Sequence, residues 1–198
     1  LGGATVCVQT GTTTELNLAD FFRANKMEFK PVTIEKYEEV TAAYLAGRCD
    51  AITSDKSQLA AIRADGTPNP EDHVILPELI SKEPLGPAVR HGDDQWFDLV
   101  KWSFHAMIEA EERGITTANI DEQLKNSDPN VQRLLGVTPG LGKALGVDEK
   151  WAYGIIKQVG NYGESFERNV GLKSKLKLER GLNALWNKGG LQYAPPAR

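Results

Sequence analysis

Along the first part of the chain, short β-branched runs alternate with stretches whose apolar residues recur every three or four positions. The run Thr5–Gln9, bounded by Gly2-Gly3 and Thr10-Gly11, predicts a strand. From Thr12 or Thr13 to about Asn25, the spacing of Leu16, Leu18, Ala19 and Phe22 predicts an amphipathic helix. Glu15 follows Thr12 by three residues, the spacing of a capping box. Residues 29–34 predict a second strand and 35–46 a second helix, stopped by Gly47. A third strand is predicted over 49–53, a third helix over 55–64 before Gly66, and a fourth strand over 73–76. This alternation predicts an α/β fold, a mainly parallel sheet with helices on both faces.

Further along, one more strand is predicted over 85–90, and after it the pattern is almost wholly helical. Trp96, Leu99, Val100, Phe104, Met107 and Ile108 predict a helix over 95–113 that stops at Gly114. Asp128-Pro129 opens a short helix that Gly136 closes. Asp148 is placed to cap a long segment reaching about Asn169, interrupted by Gly154, Gly160 and Gly163. Trp96, Trp102, Trp151 and Trp186 mostly fall at helical spacing and are expected in the core. No internal repeat or low-complexity tract is present.

Composition narrows the function classes. The 198 residues carry a formal charge of -4, and no basic run offers the clustered Lys and Arg that a nucleic-acid groove needs. Charge differs between the parts, -5 over residues 1–85 and +1 over the remainder, too little to carry a functional argument. No apolar run approaches the roughly 20 residues that span a bilayer. His73, His91 and His105 lack ligand spacing, so no metal site is expected. The doublets Glu111-Glu112 and Asp93-Asp94 read as solvated faces, because adjacent helical residues point in different directions. Ser and Thr are plentiful, but no Gly-x-Ser-x-Gly nucleophile elbow occurs. The chain starts at Leu1, close to its first strand and with no charged or apolar leader, so any signal peptide is expected to have been removed or never included.

In an open parallel sheet, ligands bind beyond the carboxyl ends of the strands. Two loops qualify. In the first, Gly11 permits a tight turn, and the amides of Thr12 and Thr13 open a helix N-terminus where an anion would sit, with the hydroxyls of Thr10, Thr12 and Thr13 as extra donors. Helix capping alone also explains threonine at such positions. In the second, Asp55 lies at the end of the third strand; it is either a helix N-cap or a carboxylate for a cation. An anion cradle beside a carboxylate matches the two ends of an amino-acid zwitterion. Cys7 in the first strand and Cys49 at the start of the third could bridge, or could be two buried thiols.

At these positions the chain resembles a known family. Val6-Cys-Val-Gln-Thr-Gly-Thr-Thr-Thr-Glu15, Gly47-Arg-Cys-Asp-Ala-Ile-Thr-Ser-Asp55 and Gly86-Pro-Ala-Val-Arg-His-Gly-Asp93 are similar to periplasmic amino-acid-binding proteins of ABC transporters, in the general L-amino-acid-binding branch. So are Ile80-Ser-Lys-Glu-Pro-Leu-Gly-Pro87, Ala110-Glu-Glu-Arg-Gly-Ile-Thr116, Gly160-Asn-Tyr-Gly-Glu-Ser-Phe-Glu-Arg-Asn-Val-Gly171, Arg180-Gly-Leu-Asn-Ala-Leu-Trp186 and the tail from Gly189. The resemblance implies a periplasmic-binding-protein-like α/β fold: one complete parallel-sheet lobe over 1–82, and the mostly helical returning part of a second lobe over 83–198. It implies a non-enzymatic carrier in the periplasm of a Gram-negative bacterium that binds free L-amino acids and delivers them to membrane permease subunits, without a cofactor. Thr10, Gly11, Thr12 and Thr13 would then hold the ligand carboxylate and Asp55 its ammonium, and the oxidising compartment favours a Cys7–Cys49 disulfide.

Against the family pattern, the N-terminal part of the first lobe is absent, with the arginine that pairs with the ligand carboxylate; Arg90 is not at the matching position. The chain is therefore expected to be a fragment of a longer protein. Its missing-lobe surface would be apolar, which favours dimerisation. A ligand-sensing receptor domain uses the same clamp fold. A dehydratase-like enzyme would need a general acid or base at the strand ends, where only Asp55 and Glu15 stand.

Overall fold

In a computed structural model, which describes residues 1–197, the run Thr5–Gln9 is strand β1 at the centre of a three-stranded parallel sheet. Its neighbours are β2 (Lys30–Ile34) and β3 (Ala51–Ile52), in the order β2-β1-β3. Val6, Cys7 and Val8 are all buried, as a strand covered on both faces requires. Alternation along β1 sends Val6 and Val8 to one face and Cys7 to the other. On the first face Val6 and Val8 pack with Leu18 and Phe22 of helix α1 (Thr13–Ala24). On the second, Cys7 packs with Val40 and Ala43 of α2 (Tyr37–Leu45) and with Cys49. Thr5 pairs with Lys30 and Gln9 with Ile34, placing Pro31 on an edge strand, where a missing N–H costs no ladder bond.

The chain divides into two compact units, Leu1–Leu85 and Gly86–Arg198. In the first, three expectations are corrected. The third strand is shorter than 49–53. Asp50 turns its carboxylate back onto the Thr5 amide at 2.7 Å, so only Ala51 and Ile52 run extended beside Val6 and Cys7. The third helix, α3 (Lys56–Ala61), widens into a π-turn over Ile62–Gly66. Residues 73–76 are not a strand: Val74 is 79% exposed, and His73 Nδ1 sits 2.8 Å from Tyr44 Oη. A strand exists only when paired, and no partner for this segment lies among the described residues.

The second unit lacks the strand predicted over 85–90 for the same reason. Its longest element, α4 (Asp94–Glu112), starts at Asp93, whose carboxylate accepts from the Trp96 amide, and ends before Gly114, at φ 66°. Two short helices that no periodicity could reveal, α5 (Ile120–Gln123) and α7 (Leu141–Leu145), flank the expected α6 (Pro129–Leu134). The long segment divides at Gly160 into α8 (Trp151–Val159) and α9 (Tyr162–Asn169), the latter opened by an Asn161–Glu164 capping box. Lys150, not Asp148, holds the cap position of α8; Asp148 instead accepts from the Lys150 amide. Ala106 and Ala110 of α4 pack with Ile115, Ile120, Leu135 and Ile156 in the core. Trp96 (52% exposed) and Trp186 (62%) lie at the surface, against expectation. No helix among the described residues is long and apolar enough to cross a membrane.

Several carboxylates are committed to backbone amides. Glu149 accepts from Gly140, Gly142 and Lys143, and the Gly140 bond above all holds it below the usual carboxylate range. Asp128 is lowered in the same way, chiefly by the Asn130 amide. A group whose folded pKa is depressed stabilises above its unfolded value, near 4, and that stability is lost as pH falls through the folded value. Urea midpoints are therefore expected to be level between about pH 7 and 5 and to fall below about pH 4. Glu149→Gln should flatten the acid limb; an unchanged limb would show that this carboxylate is not its source.

Candidate functional site

The loops after β1 and β3 leave the sheet at the same edge. Cys7 is the partner of Ile52 in the ladder, so Thr10 and Asp55, each three residues further on, emerge at the same level from parallel neighbours. Both expected loops are thus brought together at the carboxyl edge of the sheet.

In the first loop, Gly11 sits at φ 72°, a turn that a side chain would strain. Thr12 is the N-cap of α1. Its hydroxyl donates to the Gln9 carbonyl at 2.8 Å and accepts from the Glu15 amide at 3.2 Å, so it is spent on the helix. Glu15 does not complete the expected capping box. Its Oε2 bonds the Gly11 amide at 2.7 Å and the Thr10 hydroxyl at 3.4 Å. The amides of Thr12, Thr13 and Thr14, with the Thr13 hydroxyl, have no partner among the described residues. These free donors lie where the positive end of the α1 dipole stands.

In the second loop, Asp55 holds the N-cap position of α3, but its side chain makes no capping bond. The structural explanation for an aspartate here therefore fails, and a half-buried carboxylate is left aimed at no helix amide. Ser54 beside it donates to Gln58 Oε1 at 2.6 Å. Sequence reading missed Tyr37, at the start of α2. Its hydroxyl is buried without a hydrogen-bond partner among the described residues, although Ser54 and Thr41 are near. Burial pushes the Tyr37 phenol above its ordinary value, and the neighbouring Asp55 charge adds to this, so it stays a donor. Its aromatic spacing within α2 gave no signal; only the tertiary fold sets it beside Asp55.

Cys7 and Cys49 are bonded to each other, with Cα atoms 5.7 Å apart, and no cysteine is free. The bridge is buried on the α2 face of the sheet, tying β1 to the segment that leads into β3. Among the described residues no group of His, Cys, Asp and Glu is arranged to hold a metal.

A parallel sheet covered on both faces, with two loops converging at its carboxyl edge, is the architecture in which open α/β sheets place a small-molecule site. Comparison with known proteins shows what the chain is similar to. The chain is 58% identical over 200 residues to the general L-amino acid-binding periplasmic protein AapJ of Rhizobium johnstonii. It is 56% identical over 199 residues to the putative amino-acid ABC transporter-binding protein YhdW of Escherichia coli K12. It is 55% identical to the glutamate/glutamine/aspartate/asparagine-binding protein BztA of Rhodobacter capsulatus. Each match covers all of this chain and 58 or 59% of the relative, so the chain spans about three-fifths of their length. The solved structure of an ABC transporter periplasmic binding protein from Brucella ovis with glutathione bound matches at a TM-score of 0.94 and 58% identity. That match covers all of this chain and 62% of the other. No family model matches. Over its whole length the chain is a homologue of the amino-acid-binding periplasmic proteins of ABC transporters, and its fold is that of a periplasmic binding protein. The resemblance read from the motifs is borne out.

Proposed function

We propose that the protein containing this chain is the substrate-binding component of an ABC importer, located in the periplasm of a Gram-negative bacterium. It takes up a free L-amino acid and presents it to membrane permease subunits, with no chemical step. In this reading the ligand carboxylate sits on the amides of Thr12, Thr13 and Thr14 with the Thr13 hydroxyl, and Thr10 and Gly11 shape the turn. Asp55 takes the ammonium group. The observation that carries the reading is Asp55 itself: a carboxylate at a helix cap that caps nothing, level with the end of the neighbouring strand, from which α1 opens with a row of free amides. Glu15 is committed to Gly11 and Thr10, so its carboxylate is not free for acid–base work.

The test is calorimetry of the full-length protein against a panel of L-amino acids. At least one should bind, and Asp55→Ala should weaken it by about a hundredfold, about 2.7 kcal/mol, because the ammonium then lies unpaired in a closed cleft. Silence across the panel would sink the carrier reading; undiminished affinity in the variant would remove Asp55 from the site.

A further inference from the structure

We infer that Glu15 is a positioning residue for the ligand-carboxylate loop: by seating its carboxylate on Gly11 rather than on Thr12, it holds the turn while leaving the N-cap amide open to a ligand. The inference rests on the carrier reading above. In a capping box, the acidic residue at the third helical position closes back on the amide of the N-cap residue. Here that would consume the Thr12 N–H, the first of the three free donors. Instead the carboxylate reaches one residue further, to the Gly11 amide at 2.7 Å, with the Thr10 hydroxyl at 3.4 Å on the same oxygen. The difference follows from the backbone. Gly11 at φ 72° turns its N–H towards the first turn of α1, within reach of the Glu15 side chain.

Glu15 grips the turn at two points. Its amide donates to the Thr12 hydroxyl, which in turn donates to the Gln9 carbonyl. Its carboxylate holds the next peptide upstream through a charge-assisted bond, about twice as strong as a neutral one. A glycine turn without that bond would sample other conformations, because glycine has little intrinsic preference for the sign of φ. The free amides of Thr12, Thr13 and Thr14 would then lose their common direction, and each ligand would have to order the loop as it bound. Glu15 thus does not touch the ligand; it settles in advance the geometry of the groups that do.

The variants are Glu15→Ala, which removes both the acceptor and the charge, and Glu15→Gln, which keeps an acceptor oxygen for Gly11. Two readouts apply to the full-length protein: hydrogen exchange of the Gly11 amide, followed by NMR, and amino-acid affinity by calorimetry. In Glu15→Ala, Gly11 exchange should speed up about tenfold or more, and affinity should fall about tenfold, the loss of one charge-assisted hydrogen bond. Glu15→Gln should restore both to within about threefold of wild type. Unchanged Gly11 exchange in Glu15→Ala would overturn the inference, as would wild-type affinity in that variant, or a Glu15→Gln protein as impaired as Glu15→Ala. Should the wild-type protein bind no amino acid, it is the carrier reading that fails, and faster or unchanged Gly11 exchange still decides whether Glu15 holds the turn.

Discussion

Glu111→Ala is expected to destabilise the unit Gly86–Arg198 by about 3 kcal/mol, read as a lower urea midpoint at unchanged slope. Glu111 lies in the last turn of α4, and both its oxygens receive Arg180, at 3.1 Å each. The two side chains are only 12% and 19% exposed, and the guanidinium lies over the rings of Tyr162 and Phe166, 5.2 and 5.1 Å from their centroids. Removing the carboxylate leaves an enclosed cation whose remaining hydrogen bonds, among the described residues, run to the Asn183 carbonyl. The penalty comes from that uncompensated charge more than from the lost attraction, so the paired replacement Glu111→Leu with Arg180→Met should recover most of the stability. A double variant as unstable as the single one would show that packing, not charge, sets the cost. Gly163 belongs to the same arrangement. A Cβ there would lie 2.9 Å from the Glu111 carboxylate and 3.0 Å from Arg180, so the glycine in α9 makes room for the pair rather than breaking the helix.

Removing the disulfide is expected to cost the unit Leu1–Leu85 about 2–4 kcal/mol, the range for a bridge that closes a loop of this size. The two cysteines are 42 positions apart. Cys7→Ala with Cys49→Ala is the appropriate variant, because serine would bury hydroxyls at positions that are 0% and 5% exposed. The urea midpoint of the double variant should match that of the reduced wild type and lie below the oxidised one. Thiol titration of the denatured, unreduced protein should find no free thiol; two would end the disulfide, and equal midpoints would end its role in stability.

The elements that were legible in the sequence are those whose signals are local. β1, α1, α2 and α4 carry their own apolar period, caps and stop glycines, and they fall within a residue or two of expectation. Residues 73–76 carry a β-branched signal like that of β1 but form no strand, since pairing depends on a neighbour that a local run cannot specify, and 85–90, whose one β-branched residue is Val89, form none either. Glu111-Glu112 read as a solvated doublet because their partners, Arg180 and Trp186, are 69 and 74 positions away. At the candidate site, strand ends and helix starts marked out Thr10 to Thr13 and Asp55. What remained hidden was how each polar atom is spent: Thr12 on Gln9, Glu15 on Gly11, Asp55 on no cap. Those commitments follow from the φ of one glycine and the register of two strands, not from residue type.

The bridge between Cys7 and Cys49 also changes what a broken chain would be. It closes a ring that contains α1, β2 and α2, the parts that lie between the two candidate loops in sequence. The turn at Lys26, exposed and at φ 53°, lies inside that ring. A peptide bond cut there would release nothing. Both halves would stay one covalent molecule, with β1 and the approach to β3 still joined, until a reductant opened the sulfur–sulfur link.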